Sequence, residues 1–174
     1  TGLAADANTA YASNGITGLG DEAVTLSDTA LAALTLHTLD SNTTGSIDAG
    51  TIVSISGIAP TVITIYNSNG ISGLGDEAIG LNGDTNVANA NSVAALTSGI
   101  VNATISEGDM NTLAGLSETG NDYTITITDT SVVSSALNTL DGKTRVAVNA
   151  AAVTTLTGLA ADANTAYASD GISG

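Results

Sequence analysis

The sequence predicts an α/β fold: a right-handed βα solenoid with a stacked parallel sheet, short helices and uncapped ends. Three observations predict it. Long sequence segments, called repeat words below, occur more than once. β-rich stretches alternate with helical ones at a regular interval, and the apolar residues are almost all small aliphatics. Repeated units bury their apolar faces against their neighbours, so such a sequence favours a stack. One closed α/β domain is the alternative architecture.

The repeated words are too long to arise by chance. Residues 1–13 return unchanged at 157–169, and residues 13–26 return with three changes at 68–81. The whole chain is therefore read as one repeat array. Its approximate long units are 1–55, 56–113, 114–156 and 157–174.

Composition narrows the class of protein. The chain has 17 acidic residues against 2 basic ones, a formal charge of −15, and no Phe, Trp or Cys. A core of small aliphatic side chains suits a narrow interior of repeating cross-section. Binding to nucleic acid needs Lys and Arg for the phosphates, so the charge argues against it. No apolar run approaches the length of a membrane span.

Six stretches are predicted as β-strands, and most neighbours lie about 22–24 residues apart along the chain. In chain order they are Ala23–Leu26, Ser46–Ile47, Ala78–Leu81, Val101–Ile105, Tyr123–Thr128 and Arg145–Val148. Because helical crossovers join them, the strands should lie parallel and wind right-handed. The clearest is Tyr123–Thr128, where aromatic and β-branched residues alternate with Thr. The weakest is Ser46–Ile47, which is predicted as a strand because it lies at the regular spacing of the other strands.

A polar residue follows each predicted strand and is expected to cap the next helix, because its oxygen can accept a free backbone N–H. These residues are Ser27 or Asp28, Asp48, Asp84, Glu107 or Asp109, Asp129 and Asn149. Apolar residues then recur every three or four positions, as at Val133, Leu137 and Leu140. Glycines at helix ends and turns complete each unit. They are Gly45, Gly70, Gly99, Gly120, Gly142 and Gly171.

The apolar positions of strands and helices define a predicted core. From the strands it takes Val24, Leu26, Ile79, Leu81, Ile125, Ile127, Val146 and Val148. From the helices it takes Leu34, Leu39, Leu113, Leu137, Leu140 and Leu156.

Three words carry a resemblance to a known family. They are GISGLGDEAVTLSDT at 15–29 (with Thr17 in place of Ser), ALNTLD at 136–141, and the stretch 148–169. They resemble the tandem repeats of giant cell-surface proteins of marine cyanobacteria such as Synechococcus, one of which is associated with swimming without flagella. The resemblance covers essentially the whole chain and rests on repeat wording. It implies an extracellular, cell-surface array and no particular chemistry.

The word Gly-Leu-Gly-Asp-Glu holds the candidate metal ligands. Asp21 and Glu22 in one copy, and Asp76 and Glu77 in the other, offer carboxylate oxygens of the kind that Ca²⁺ prefers. Neighbouring strands lie about 4.8 Å apart, so two pairs on alternate strands are too distant to share one ion. A solvated acidic corner with diffuse cation association is the preferred interpretation, and calcium the weaker one.

Three other features have a structural and a functional interpretation. The tyrosines at 11, 66 and 167 recur with the long repeat, which indicates repeat packing more than a carbohydrate-stacking platform. His37 is the only histidine, so no repeated Ser-His-Asp triad exists. Thr124, Thr126 and Thr128 form a Thr-x-Thr face, but the in-phase residues taken as neighbours (78–82 and 146–148) do not extend it.

The expected function is therefore structural: a spacer or display module in a giant surface protein, with neighbouring repeats as its partners. A calcium- or glycan-binding adhesin module is the alternative. An enzyme is not expected, because the repeated acids are spread evenly and not gathered in one cleft. No cofactor is expected. Both ends are expected to lack the neighbour that would cover them, which predicts end-to-end association.

Overall fold

A computed structural model describes all residues from Thr1 to Gly174. It contains seven α-helices and twelve short β-strands. They form two compact units. The first comprises Thr1–Asn82 and Leu96–Gly99, and the second comprises Gly83–Ala95 and Ile100–Gly174.

The first unit holds three helices and the strands between them. The helices are α1 (Ala4–Tyr11), α2 (Ala33–Asn42) and α3 (Ala59–Tyr66). The strands are β1 (Val24–Thr25), β2 (Ala30–Ala32), β3 (Ile47–Asp48), β4 (Ser54–Gly57), β5 (Ile71–Ser72) and the start of β6 (Ala78–Thr85).

Two parallel sheets run through this unit. One joins β1, β3 and β5, with Val24 beside Ile47 and Ile47 beside Ile71. The other joins β2, β4 and β6, with Leu31 beside Ile55 and Ile55 beside Ile79. Each register places apolar residues on the same face of neighbouring strands, so the sheets bury continuous apolar rows.

The second unit also consists of α-helices and short parallel β-strands. Its helices are α4 (Val87–Ala94), α5 (Met110–Leu113), α6 (Ser134–Asp141) and α7 (Ala160–Ala168). Its strands are β7 (Val101–Ile105), β8 (Asp122–Thr124), β9 (Ser131–Val133), β10 (Val148–Asn149), β11 (Thr155–Thr157) and β12 (Ile172–Ser173). The pairs β7–β8, β9–β11 and β10–β12 are all parallel.

The mixed α/β class and the parallel pairing are confirmed, but the expectation of one sheet is wrong. Each of the six predicted stretches overlaps a strand. A second set of strands, which includes β2, β4, β9 and β11, lies close before the helices. These strands are three or four residues long and rich in Ala, Ser and Thr. So short a stretch shows no hydrophobic alternation, and only pairing with a distant strand defines it.

The predicted capping pattern is wrong for most helices. Of the residues named as caps, only Asp109 caps the helix that follows it, accepting the N–H of Thr112 at 2.9 Å. Four helices begin after Ala32, Ile58, Val133 or Leu159 and a fifth after Leu3, and in none does the side chain of that preceding residue cap the helix. Asp48 and Asn149 instead accept the N–H two residues ahead and close turns. The reason is that strand and helix follow each other directly, leaving the polar residues several positions upstream.

Three of the predicted capping acids cap a helix that lies earlier in the chain. Asp28 accepts the N–H of Ala4, 24 residues before it. Glu107 receives the N–H of Val87, and Asp129 that of Met110 at 2.7 Å. Each donor is the first residue of a helix, where N–H groups lack intrahelical partners. The acids thus tie each chain segment to the previous one.

Most of the predicted core is buried as expected. Leu26, Ile79, Leu81, Ile125, Ile127 and Val148 are buried at the positions predicted as strands, and Leu39, Leu113, Leu137 and Leu140 in the helices. Val24, Val146 and Leu156 are only half-buried. The prediction that Leu34 is buried is wrong. Its side chain is 65% exposed, because α2 buries the row Ala33, Leu36 and Leu39. Leu39 lies in this row as predicted, and Ala33 takes the buried position that was predicted for Leu34.

Candidate functional site

The repeated word Gly-Leu-Gly-Asp-Glu forms a loop whose shape depends on its glycines. Gly18 and Gly20 have φ values of 86° and 142°, and Gly73 and Gly75 have values of 84° and 145°. Residues other than glycine rarely adopt these φ values, because their Cβ atom clashes with the backbone. The two loops therefore share one backbone path, which presents the glutamate to the loop's own N–H groups.

Each glutamate closes its loop through one carboxylate oxygen. Oε2 of Glu22 accepts the N–H of Gly20 at 2.7 Å, and Oε2 of Glu77 accepts that of Gly75 at 2.9 Å. A carboxylate that accepts a backbone N–H makes a charge-assisted hydrogen bond, which is stronger than a neutral one. The acids of the repeat word are thus part of the loop's internal structure.

The in-phase tyrosines donate to the same oxygens. The hydroxyl of Tyr11, the last residue of α1, donates to Glu22 Oε2 at 3.1 Å. The hydroxyl of Tyr66, the last residue of α3, donates to Glu77 Oε2 at 2.5 Å. Both pairs are 11 residues apart in the chain. Repeat packing therefore accounts for these two tyrosines, as the sequence predicted, but not for Tyr167, which is 80% exposed.

A threonine from the next segment completes each loop. Thr43 Oγ1 donates to the carbonyl of Glu22 at 2.9 Å, and Thr97 Oγ1 to the carbonyl of Glu77 at 2.7 Å. Each threonine oxygen also accepts the N–H two residues on, from Gly45 and Gly99 respectively. We call the two sets the first corner (Tyr11, Gly20, Glu22, Thr43, Gly45) and the second corner (Tyr66, Gly75, Glu77, Thr97, Gly99).

The last glycine of each corner is required by close approach. A Cβ at Gly45 would overlap the carbonyl of Glu22, and one at Gly99 would overlap that of Glu77. The sequence analysis placed these glycines at helix ends and turns. Their additional role is to let two backbones touch, which a pattern along one segment does not reveal.

The corners differ in burial and electrostatics. Glu77 is fully buried, and its Oε1 has no hydrogen-bond partner, whereas Glu22 is half-buried. The N–H of Gly20 and the other donors around the carboxylate lower the pKa of Glu22. Burial, followed by the hydrogen bond to Glu77, raises the pKa of Tyr66. The second corner therefore holds the more deeply buried carboxylate of the two.

The four calcium candidates divide between two roles. Glu22 and Glu77 each use one carboxylate oxygen to accept the hydrogen bonds of a corner, while Asp21 and Asp76 lie exposed on the surface. No three His, Asp or Glu side chains come close enough together to hold a metal ion. The structure keeps the two acid pairs in separate loops.

The other candidates take ordinary positions. His37 is half-buried on α2, and its Nδ1 is buried without a partner. Thr124, Thr126 and Thr128 are all exposed on one face. Their neighbours differ from those expected: Thr124 lies beside Thr104 of β7, and Thr126 beside Asn149. The first expected set, residues 78–82, belongs to β6, whereas β8 pairs with β7.

A second repeated contact was missed by the sequence analysis. Ser68 Oγ donates to Asp40 Oδ2 at 2.8 Å, and Ser169 Oγ donates to Asp141 Oδ2 at 2.7 Å, both across 28 residues. Each serine oxygen also accepts the N–H of the glycine two residues on. The signal was present, because Thr-Leu-Asp and Ser-Asn/Asp-Gly recur together. Reading the two words as one contact required the fold.

The corners and the serine–aspartate contacts share one chemical property: their polar groups join one chain segment to another. None of the seven helices has both the length and the hydropathy required to cross a membrane. No family model, curated protein or solved structure matches this chain.

Proposed function

We propose that this chain is a structural repeat module that acts as an extended spacer or display element. The observation that carries the proposal is the corner built twice, with the same residues at the same chain spacing of 11 between tyrosine and glutamate. A binding or catalytic site is usually a single constellation. A contact that recurs in each copy of the repeat is better explained by the packing of the repeats against one another.

The architecture we infer for the module is a right-handed βα solenoid. Parallel pairing supports it, because most paired strands meet in registers about 24 residues apart, and β7 and β8 meet 20 residues apart. The acids that cap a helix of the preceding segment support it too, since each segment contributes to the stability of its neighbour. Such nearest-neighbour coupling is the basis of solenoid stability.

The setting we propose is the outside of a cell, within a giant surface protein with a link to motility. It rests on the resemblance of the repeat words to those of marine cyanobacterial surface proteins. The net charge of −15 agrees with it, because mutual repulsion keeps a long acidic protein from aggregating. We propose no catalytic activity and no cofactor for the module.

The experiment compares proteins that carry one, two and three copies of this chain's repeat in tandem. If the copies stack as a spacer, the maximum dimension from small-angle scattering should rise in proportion to copy number. The denaturant midpoint should rise as well, because each added copy adds an interface while the cost of the ends stays fixed. Equal midpoints for all three proteins would show independent domains and would contradict the proposal.

A further inference from the structure

Three turns of the chain share a short word and one hydrogen-bond pattern. The word reads Ser-Asn-Gly at 13–15 and 68–70, and Ser-Asp-Gly at 169–171. In each turn the glycine N–H donates to the Oγ of the serine two residues before it, at 3.2, 3.0 and 3.0 Å respectively. The middle residue of the word is exposed in all three turns. We call residues 68–70 the middle turn.

The fold requires a glycine at the end of the middle turn. A Cβ atom at Gly70 would lie 2.5 Å from Oδ1 of Asp40, so a larger residue would collide with that carboxylate. The other oxygen of the same carboxylate, Oδ2, accepts from the hydroxyl of Ser68 at 2.8 Å. The packing of Asp40 therefore fixes the serine and also places a glycine directly after Asn69.

An asparagine followed by glycine is chemically labile in water. The nitrogen of the next peptide group loses its proton to a base and attacks Cγ of the asparagine. The Cγ–Nδ2 bond then breaks, ammonia leaves and a cyclic succinimide remains. Water opens the ring to aspartate, or to isoaspartate if the main-chain bond is the one that breaks. Glycine allows the attack most readily because it has no Cβ to restrict the approach, and asparagine is accordingly a thermolabile residue.

The middle turn holds the attacking nitrogen away from this reaction. The N–H of Gly70 is bonded to Ser68 Oγ, and the serine is itself fixed by Asp40. The carbonyl of Gly70 accepts the N–H of Ile47 at 2.8 Å, so the glycine is held on both sides. Ring closure requires the nitrogen and Cγ to meet in one orientation. The bond to Ser68 must therefore break first.

We propose that Asn69 is a latent site of spontaneous deamidation, which the Ser68–Asp40 contact keeps unreacted while the neighbouring segments are stacked. Asp40 lies on α2 and Ser68 follows α3, so the contact forms only when one segment packs on the next. Local opening of this junction frees the N–H of Gly70 and allows the reaction to begin.

The two products have different effects on the stack. Aspartate is compatible with the turn, because Asp170 occupies the equivalent position and the same serine and glycine hydrogen bonds form around it. Isoaspartate lengthens the main chain just before Ile71, which pairs with Ile47 in the register of β3 and β5. A chain with isoaspartate cannot restore the turn and this register together. Its formation therefore records irreversibly that the junction has opened.

The test measures deamidation of the full-length chain in a mildly alkaline buffer. Peptide mass spectrometry follows the conversion of Asn69 and also that of Asn82. Asn82 precedes Gly83 inside β6, so it serves as an internal reference for loss of the whole fold. The measured quantity is the rate at Asn69 divided by the rate at Asn82. The same chains in concentrated urea give the rates of the unfolded state.

Three variants isolate the serine. Ser68→Ala removes the acceptor of the glycine N–H. Ser68→Thr keeps a hydroxyl, and Thr43 already accepts the N–H of Gly45 in the same way. Ser41→Ala is the matched control, because Ser41 is exposed on α2 and donates to a carbonyl of its own helix.

We expect the ratio to rise several-fold in Ser68→Ala and to stay unchanged in Ser68→Thr and Ser41→Ala. An unchanged ratio in Ser68→Ala would overturn the proposal, as would a folded unsubstituted chain that reacts at Asn69 as fast as in urea. If Ser68→Ala unfolds the chain and accelerates both asparagines alike, Asp40→Ala decides by the same ratio, because it removes only the group that fixes the serine.

The products provide a second readout. The urea midpoint of Asn69→Asp should match that of the unsubstituted chain, whereas the isoaspartate fraction, separated by chromatography, should have a lower midpoint. Equal midpoints for the two forms would contradict the effect assigned to isoaspartate. The inference goes beyond the spacer function and does not depend on it, because the contacts of the turn alone decide this chemistry.

Discussion

At the residue scale, the second corner depends on the carboxylate of Glu77. It is fully buried, and one of its oxygens accepts from both Tyr66 and the backbone of Gly75. Burying a charged or polar group costs stability unless hydrogen bonds compensate. The hydrogen bonds from the tyrosine and the glycine therefore offset part of the cost of burying the glutamate.

Replacing Tyr66 with Phe should show how much the second corner contributes. The change removes one hydrogen bond and leaves more of the Glu77 carboxylate unsatisfied, so we expect a loss of about 1–3 kcal/mol in the free energy of unfolding. Urea denaturation at neutral pH measures it. Tyr167→Phe is the matched control and should change nothing, because that side chain is 80% exposed. An equal effect of the two substitutions would contradict the role assigned to the corner.

The first corner should make stability depend on acid. Hydrogen bonding, chiefly from the Gly20 N–H, holds the pKa of Glu22 in the folded chain below its usual 4.5. A pKa lowered by folding contributes stability above the unfolded value, and that contribution is lost as pH falls through the folded value. The urea midpoint should therefore fall as pH drops below about 4.5. Glu22→Gln should weaken this dependence, whereas Asp21→Asn, an adjacent and exposed change, should preserve it.

At the element scale, helices depend on acids from later segments. Asp28, Glu107 and Asp129 each accept the first N–H of a helix that lies 19 to 24 residues earlier in the chain. These acids also lie near the positive end of the helix dipole, which favours a negative charge. Helix stability and segment stacking are thus coupled through the same side chains.

Replacing Asp129 with Ala should destabilise the protein although Asp129 is not in the helix it caps. Loss of a helix cap typically costs about 0.5–2 kcal/mol. Asp84→Ala is the control, because Asp84 is exposed and makes no capping bond although the sequence predicted one. Chemical denaturation of the two variants measures the difference. Equal stability would show that the bond from Met110 to Asp129 contributes nothing.

A second prediction at this scale concerns the buried and exposed leucines of the helices. Leu140 on α6 is 2% exposed and Leu34 on α2 is 65% exposed. Leu140→Ala should cost about 2–5 kcal/mol through lost burial and a cavity. Leu34→Ala should change stability by less than about 0.5 kcal/mol, as is usual at the surface. A large effect at Leu34 would restore the helix phase that the sequence predicted.

At the scale of the whole molecule, negative charge dominates. Only one ion pair forms, between Arg145 and Asp122 at 2.8 Å, against a net charge of −15. Self-repulsion of this kind lowers the stability of a compact chain, and dissolved cations screen it. The acids of the repeat words do not gather into a shared metal site in the described chain.

Calcium should consequently act on this protein as a screening ion. Millimolar Ca²⁺ should raise the melting temperature modestly, and Mg²⁺ should raise it by nearly as much. Thermal unfolding monitored by circular dichroism compares the two ions at equal ionic strength. A rise of about ten degrees specific to Ca²⁺, and lost in Asp76→Asn, would favour the adhesin alternative over the spacer.

The sequence alone determined the repeats, the α/β class, the parallel pairing and most of the buried positions. These properties have local signals: word identity, the Thr-x-Thr alternation of 123–128, and apolar rows such as Leu137 and Leu140. It also indicated that Tyr11 and Tyr66 serve packing. Local patterns succeed here because each segment repeats them and thereby reinforces them.

The tertiary structure alone decided which residues meet. The tyrosine–glutamate pairs join residues 11 apart, and the serine–aspartate contacts join residues 28 apart. The caps act on earlier helices, and strands such as β2 and β9 are defined by pairing and not by alternation. The physical reason is the same in each case. A hydrogen bond between segments depends on the register of stacking, and that register is fixed by packing across the molecule and not by the pattern along any one segment.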